Sequence, residues 1–269
     1  MDYKEKLKCA SAIMNKAKEL GASLVGICGV EDLKTAPSFT LAPKVPLADV
    51  GRVESDRGLA HGEVSWPEDA KSVIVIAYAH PHNEPQLDWR HGNASPPGNQ
   101  VLIRINKSLS QWIESQYDIK TYPLHYYIEK GGIFLKDAAV LAGLGCIGKN
   151  NMLITPEYGP MVRLRAMLVT EILPVTGPRE FNPCDLCQAP CLNVCEKNAF
   201  SEVIYTKEET AQSHLPGLIG NYSRPKCNKQ MLEDKKKAVM ETSPGISEEP
   251  IKIIKYCRNC EVSCPVGRD

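Results

Sequence analysis

Eight of the eleven cysteines fall in the last third of the chain, and no other feature limits the fold so strongly. They read Cys184-Asp-Leu-Cys187, Cys191, Cys195, an isolated Cys227, then Cys257-Arg-Asn-Cys260 and Cys264-Pro265. A Cys-x-x-Cys step sends two thiolates from one tight turn to neighbouring metal atoms, and a more distant Cys closes the site. Two cubane 4Fe–4S clusters require eight thiolates, and in two-cluster ferredoxins the last Cys of one run ligates the other cluster. Two rival arrangements remain open. Paired Cys-x-x-Cys steps also suit tetrahedral zinc. Four disulfides are the third option, but the first residues do not read as a secretory signal and the length of the chain does not demand staples. The first run is C-x2-C-x3-C-x3-C followed by Glu196, one residue longer around Cys191 than a bacterial ferredoxin run.

A chain of 269 residues predicts one or two domains. Its 32 basic residues equal its 32 acidic ones, so no net field recruits nucleic acid or anionic lipid. No stretch approaches the ~18 apolar residues of a membrane span. The start, Met1-Asp2-Tyr3-Lys4-Glu5, has neither an apolar signal core nor twin arginines. The expectation is a cytoplasmic protein with reduced thiols and no membrane partner, suited to anaerobic conditions.

Leu7, Ala10, Ile13, Met14, Ala17 and Leu20 recur at helical spacing, and Gly21 ends the run. Ser23–Val30 reads as a buried strand, with Cys28 as a small core residue. Residues 31–70 carry many Pro and Gly and read as a long loop; His61, within it, has no assigned role. Ser72–Ala79 is the clearest strand, continuous and β-branched. The strand runs into His80-Pro-His82, and a polar loop over 83–100 holding His91 follows; this stretch reads as the border of a pocket rather than a metal site. Helical periodicity returns over 101–116. A strand is predicted from Ile119 to Ile128, a short helix from Ile133 to Ala142, and strands over Met152–Thr155 and Tyr158–Thr170. Residues 201–256 read as charged linker and helix, with Lys235–Lys237 on a solvated face.

Gly143, Gly145 and Gly148 match G-x-G-x-x-G literally. A dinucleotide fingerprint needs a strand before it and a helix after it. Here a helix precedes and a strand follows, so NAD is excluded. Either the glycines cap the helix and turn the chain, or they bring backbone close to a large cofactor. Cys146, inside the turn, reads as a packed thiol in preference to a cofactor neighbour.

Ala142-Gly-Leu-Gly-Cys-Ile-Gly-Lys-Asn150, with Leu153-Ile-Thr-Pro-Glu-Tyr-Gly159, Val162-Arg-Leu164 and the two cysteine groups, resembles the core of the cobalamin-dependent epoxyqueuosine reductases and reductive dehalogenases. The likeness runs from about residue 10 to 266. It implies an α+β fold: a nitroreductase-like α/β cobalamin-binding domain over 1–175, then a ferredoxin-like module with two 4Fe–4S clusters over 176–269. By that pattern one cluster takes Cys184, Cys187, Cys191 and Cys264, and the other Cys195, Cys227, Cys257 and Cys260. Gly143, Leu144, Gly145, Gly148, Asn150, Pro156, Tyr158 and Gly159 would line the corrinoid. Glu129 falls where epoxyqueuosine reductases place a proton-donating Asp, and Lys149 where both families place a basic residue. The implied function is a corrinoid-dependent reductase that draws on an external low-potential electron donor and acts on a small organic substrate. The alternatives are an electron-transfer protein that reductively activates a corrinoid protein, or a plain two-cluster carrier without cobalamin. Epoxyqueuosine reductases continue into a helical-repeat domain that helps hold tRNA, whereas this sequence ends at Asp269. With the neutral charge, that makes tRNA an unlikely partner.

Overall fold

The computed structural model describes residues 1–44, 58–59, 62–211, 214–215, 218–243 and 247–268. His61 lies outside the described residues. Helical and extended periodicities alternate through the first 170 positions. Tyr3–Glu19 forms helix α1, opened by a capping box in which Asp2 accepts from the Glu5 N–H and Glu5 accepts from the Asp2 N–H. Strand β1 follows at Leu24–Gly29, strand β2 at Ser72–Ala79 and helix α2 at Pro97–Tyr117. Strand β3 is Thr121–Pro123, helix α3 is Leu135–Leu141 and strand β4 is Val162–Val169.

The four strands make one antiparallel sheet in the order β1-β2-β4-β3. Val75 stands between Gly26 on one side and Ala166 on the other. Because side chains alternate along a strand, β2 feeds two cores at once. Val73, Val75 and Ala77 join Ala138, Ala139 and Ala142 at α3 on one face. Ile74 and Ile76 join Ile13 of α1 and Leu102, Ile105, Leu109 and Ile113 of α2 on the other. Helices therefore cover both faces, which is why β2 reads as a continuous apolar run.

Cys146–Ile147 and Leu153–Ile154 pair as a two-stranded ribbon after α3, and the tail adds helix α4 (Arg224–Lys236), strand β5 (Val239–Ser243), strand β6 (Ser247–Ile254) and the short helix α5 (Asn259–Val262). Strand β6 pairs with β5 and, on its other edge, with Arg90–His91. A loop of the first half thus enters a sheet of the second, so the halves on either side of residue 175 interlock at this point. Among the described residues, no helix is long and apolar enough to cross a membrane.

Three sequence expectations are corrected. The strand predicted over 119–128 ends at Pro123, which has no N–H to continue the ladder; His125–Lys130 turn away as a bend and a 3-10 turn. Residues 31–70 include short helices at Val30–Lys34 and Pro37–Leu41. Residues 201–256 hold a β-hairpin besides the helix. Its apolar residues are diluted by Glu and Lys, and Ile253 and Ile254 carry its burial.

Candidate functional site

None of the eleven cysteines is joined in a disulfide. Cys184, Cys187, Cys191 and Cys264 line one small cavity. Burial, then the neighbouring Cys264, Cys184 and Cys187, push the Cys191 thiol up to about 11. The other four make a second group. Burial, then Cys227 and Cys257, with Cys195 also contributing, push the Cys260 thiol up to about 12. Such thiols resist ionisation together, and a cationic metal core is what reverses that balance. Among the described residues, no three His, Cys, Asp or Glu converge tightly enough to hold a single metal ion. Backbone N–H groups of Ala189 and Ala199 donate to the Cys187 and Cys195 Sγ atoms, each at 3.4 Å. Cys146 lies beside the first group; burial and then Cys184 push its thiol up to about 12.

The glycine turn is packed between these thiols and the α/β core. Gly143 has φ +76° and closes α3, the helix-capping role. A side chain at Gly145 would collide with the Ile154 backbone, and one at Gly148 would press on Ile154 and the Cys184 sulfur. Leu144 is buried in the core. Asn150, 3% exposed, donates to the Cys260 carbonyl at 3.3 Å while lining the first thiol cavity, and so ties the two groups together. Thr155 and Gly159 exchange two backbone bonds of 2.9 Å around Pro156–Tyr158, and Gly159 abuts Val266. Of the eight residues expected to line a corrinoid, Gly148, Asn150, Tyr158 and Gly159 stand against the cysteine tail, whereas Leu144 belongs to the α/β core.

A separate cavity of about 1100 Å³ opens elsewhere, above the ~300–1,000 Å³ of ordinary small-molecule clefts. None of those eight residues lines it. Its walls come from the loop 88–99, helix α2, the turn 121–131, strand β4 and residues 256–261. The loop over 83–100 therefore does border a pocket, although none of His80, His82 and His91 lines it. Lys130 and Gly131 line the cavity, but Glu129, half-buried between Ile128 and Lys130, does not. Lys149 does not either; it donates to the Cys187 carbonyl at 3.4 Å, beside the first thiol group. The two residues expected to be catalytic are therefore not brought together. Cys257 belongs to the second thiol group and also lines the large cavity.

The floor of this cavity holds a charge network that sequence reading missed. Arg163 on β4 grips Glu261 with both terminal nitrogens, at 3.1 and 3.0 Å, and reaches Asp88 at 2.8 Å. Arg258 meets Asp88 and Glu261, each at 2.6 Å, and donates to the His80 carbonyl. His80 is fully buried, with Nδ1 2.9 Å from Asp88. Burial pushes the Asp88 carboxyl up, but His80, Arg163 and Arg258 outweigh it and hold it below its ordinary value. Burial likewise opposes the Arg163 charge, and Glu261 and Asp88 more than restore it. Gly98, in the first turn of α2, gives the His80 ring its room, since a Cβ there would overlap the imidazole. The only sequence signal was the rule that buried charges come paired, and pairing across 98 residues cannot be read without the fold.

No family model matches the chain. An epoxyqueuosine reductase of Gloeobacter violaceus is 38% identical over 212 residues, covering 72% of this chain and 61% of that protein. An epoxyqueuosine reductase solved with an epoxyqueuosine-modified tRNA-Tyr stem loop superposes with a TM-score of 0.62 at 21% identity, over 97% of this chain and 66% of that one. A reductive dehalogenase whose structure suggested a mechanism for B12-dependent dehalogenation gives 0.64 at 16% identity, over 100% of this chain and 33% of that one. The chain belongs to the epoxyqueuosine reductase and reductive dehalogenase-like family. It spans about half to three-fifths of the length of the first epoxyqueuosine reductases it matches.

These findings overturn the expectation that tRNA is an unlikely partner, because a relative of the same fold is solved on a tRNA stem loop. The physical error lay in averaging charge over the chain. Among the described residues, Arg90, Lys107, Lys130, Arg163, Arg165 and Arg258 line the large cavity against Asp88 and Glu261, an excess of four positive charges in a chain whose net charge is zero.

Proposed function

We propose that this chain is the redox core of a corrinoid-dependent iron–sulfur reductase. In this reading Cys184, Cys187, Cys191 and Cys264 hold one 4Fe–4S cluster, and Cys195, Cys227, Cys257 and Cys260 hold the other. The large cavity takes cobalamin and the reacting end of the substrate. When bound, the clusters supply one-electron transfer and the corrin supplies low-potential cobalt chemistry. The thiol sets fit such clusters in their chemistry: eight cysteines fall into two groups of four, and none of them is tied up in a disulfide. The nitroreductase-like and ferredoxin-like halves are part of the same proposal. Likeness to epoxyqueuosine reductases puts a tRNA-borne group among the candidate substrates, and likeness to reductive dehalogenases a small organic one.

The observation that carries this reading is Cys257, which belongs to the second thiol group and lines the cavity, so the wall of one site is a ligand of the other. The chain's own residues do three things there. The Ala189 and Ala199 N–H groups stabilise thiolate charge. The Arg163–Glu261 pair fixes α5, which carries Cys260, against β4, and Arg258 braces Glu261 from the same segment. His125, Tyr126 and Tyr127 present stacked and edge-on rings to the cavity, with centroids 5.6 and 5.2 Å apart, as faces for a planar ligand. Lys149 is a cation beside the first thiol group, and Glu129 stands outside the lining.

Protein purified anaerobically and incubated with cobalamin tests the reading. Corrin absorbance should co-elute with the protein through gel filtration. Corrin that elutes free, beside protein with its iron intact, would reduce the chain to an electron carrier.

A further inference from the structure

Arg163 and Arg165 lie two residues apart on β4, on the same face of the sheet, and both line the large cavity. Their surroundings differ. Arg163 is matched by Asp88 and Glu261. Arg165 is 8% exposed, and among the described residues it has neither an ion pair nor a hydrogen-bond acceptor; its Nε is buried without a partner. Nearby, the Asn106 side chain is 4% exposed and donates to the Ala166 carbonyl, while its Oδ1, also buried in this wall, is unpartnered. Burial pushes the Arg165 guanidinium down from its ordinary value, and only Tyr126 and Tyr127 work the other way; no carboxylate does. An arginine stays charged in a protein, and a buried charge is costly unless it is paired. The two carboxylates of the cavity are already engaged with Arg163 and Arg258.

We infer that Arg165 is the oxyanion receptor of the cavity: its planar guanidinium takes up a phosphate or carboxylate carried by the ligand that fills the site, and so selects for an anionic ligand. The inference rests on the reading of this cavity as the cofactor and substrate site. It also gives a use to the surplus of positive charge in the lining. A guanidinium meets an oxyanion through two parallel N–H bonds, a geometry that lysine cannot reproduce. The oxyanion has two possible sources. One is the phosphodiester of the corrinoid's nucleotide loop, and the other is the substrate.

The test uses the full chain with its clusters reconstituted anaerobically, as wild type, Arg165→Met and Arg165→Lys. Calorimetric titration with inorganic pyrophosphate and with benzoate reads oxyanion binding. Absorbance titration with cobalamin and with cobinamide, which lacks the phosphodiester, reads the corrinoid. Wild type should bind the anions, Arg165→Met should weaken them ~10-fold or more, and Arg165→Lys should fall between. If the cofactor supplies the oxyanion, Arg165→Met weakens cobalamin but not cobinamide. If the substrate supplies it, both corrinoids bind as before and the anion defect persists in corrinoid-loaded protein. Equal anion affinity in wild type and a folded, iron-replete Arg165→Met, or no anion binding by wild type, overturns the inference. Failure of wild type to bind either corrinoid counts against the cofactor reading instead and leaves the anion arm to be judged separately.

Discussion

Asp88 carries more of the structure than any single loop residue in the sequence suggests. It faces His80, Arg163 and Arg258 from the end of a 3-10 turn, Pro85–Asp88, that packs on α2. Replacing it with Asn leaves two guanidinium groups with Glu261 as their one carboxylate. We expect Asp88→Asn to lose about 3 kcal/mol in chemical denaturation, at the low end for a broken buried pair. The pH dependence follows from its depressed folded-state pKa. Its contribution is fully present above the unfolded value of ~3.9 and disappears as pH falls through the lower folded value. Denaturation curves from pH 7 to pH 3 should therefore show a steeper acid-side loss for wild type than for Asp88→Asn; parallel curves would remove Asp88 from the acid response. The grouping of the cysteines was legible because their spacing itself is the signal. It was not legible for Asp88, Arg163, Arg258 and Glu261, whose partners are distant in sequence and meet only after folding.

At the scale of elements, apolar periodicity foretold most of the sheet and its helices. Strand Ser72–Ala79 has the bounds its sequence suggests, and α1, α3 and β4 differ from expectation only at their ends. What periodicity could not show was where polar elements pair. The β5–β6 hairpin and the two residues Arg90–His91 bury little apolar surface, so they leave no period-two pattern strong enough to find. The glycine turn is legible in the sequence, but what its glycines make room for is not. They admit the Ile154 backbone and the Cys184 sulfur, and a G-x-G string looks the same whether its neighbour is a ligand or another strand. Helix α2 offers an element-scale test. Gly98→Ala drives a methyl group into the buried His80 ring, which must then leave Asp88. Overpacking of this kind costs about 1–3 kcal/mol, and thermal melts of Gly98→Ala should show it. The double variant Gly98→Ala, Asp88→Asn should lose less than the sum of the two, since both disturb one contact.

The whole molecule joins an α/β sandwich to a cysteine-rich tail through bridges that include the Arg163–Glu261 and Arg258–Asp88 pairs, the Asn150–Cys260 bond and the Arg90–His91 strand against β6. Together they hold two thiol groups in fixed relation to a cavity of about 1100 Å³ with a positive wall. The measurement that bears most directly on this account is elemental analysis of anaerobically purified, cobalamin-incubated protein after gel filtration. The account predicts about eight irons and eight acid-labile sulfides per chain, together with retained cobalt. Zinc in place of iron with no labile sulfide, or full iron with no cobalt, would contradict it.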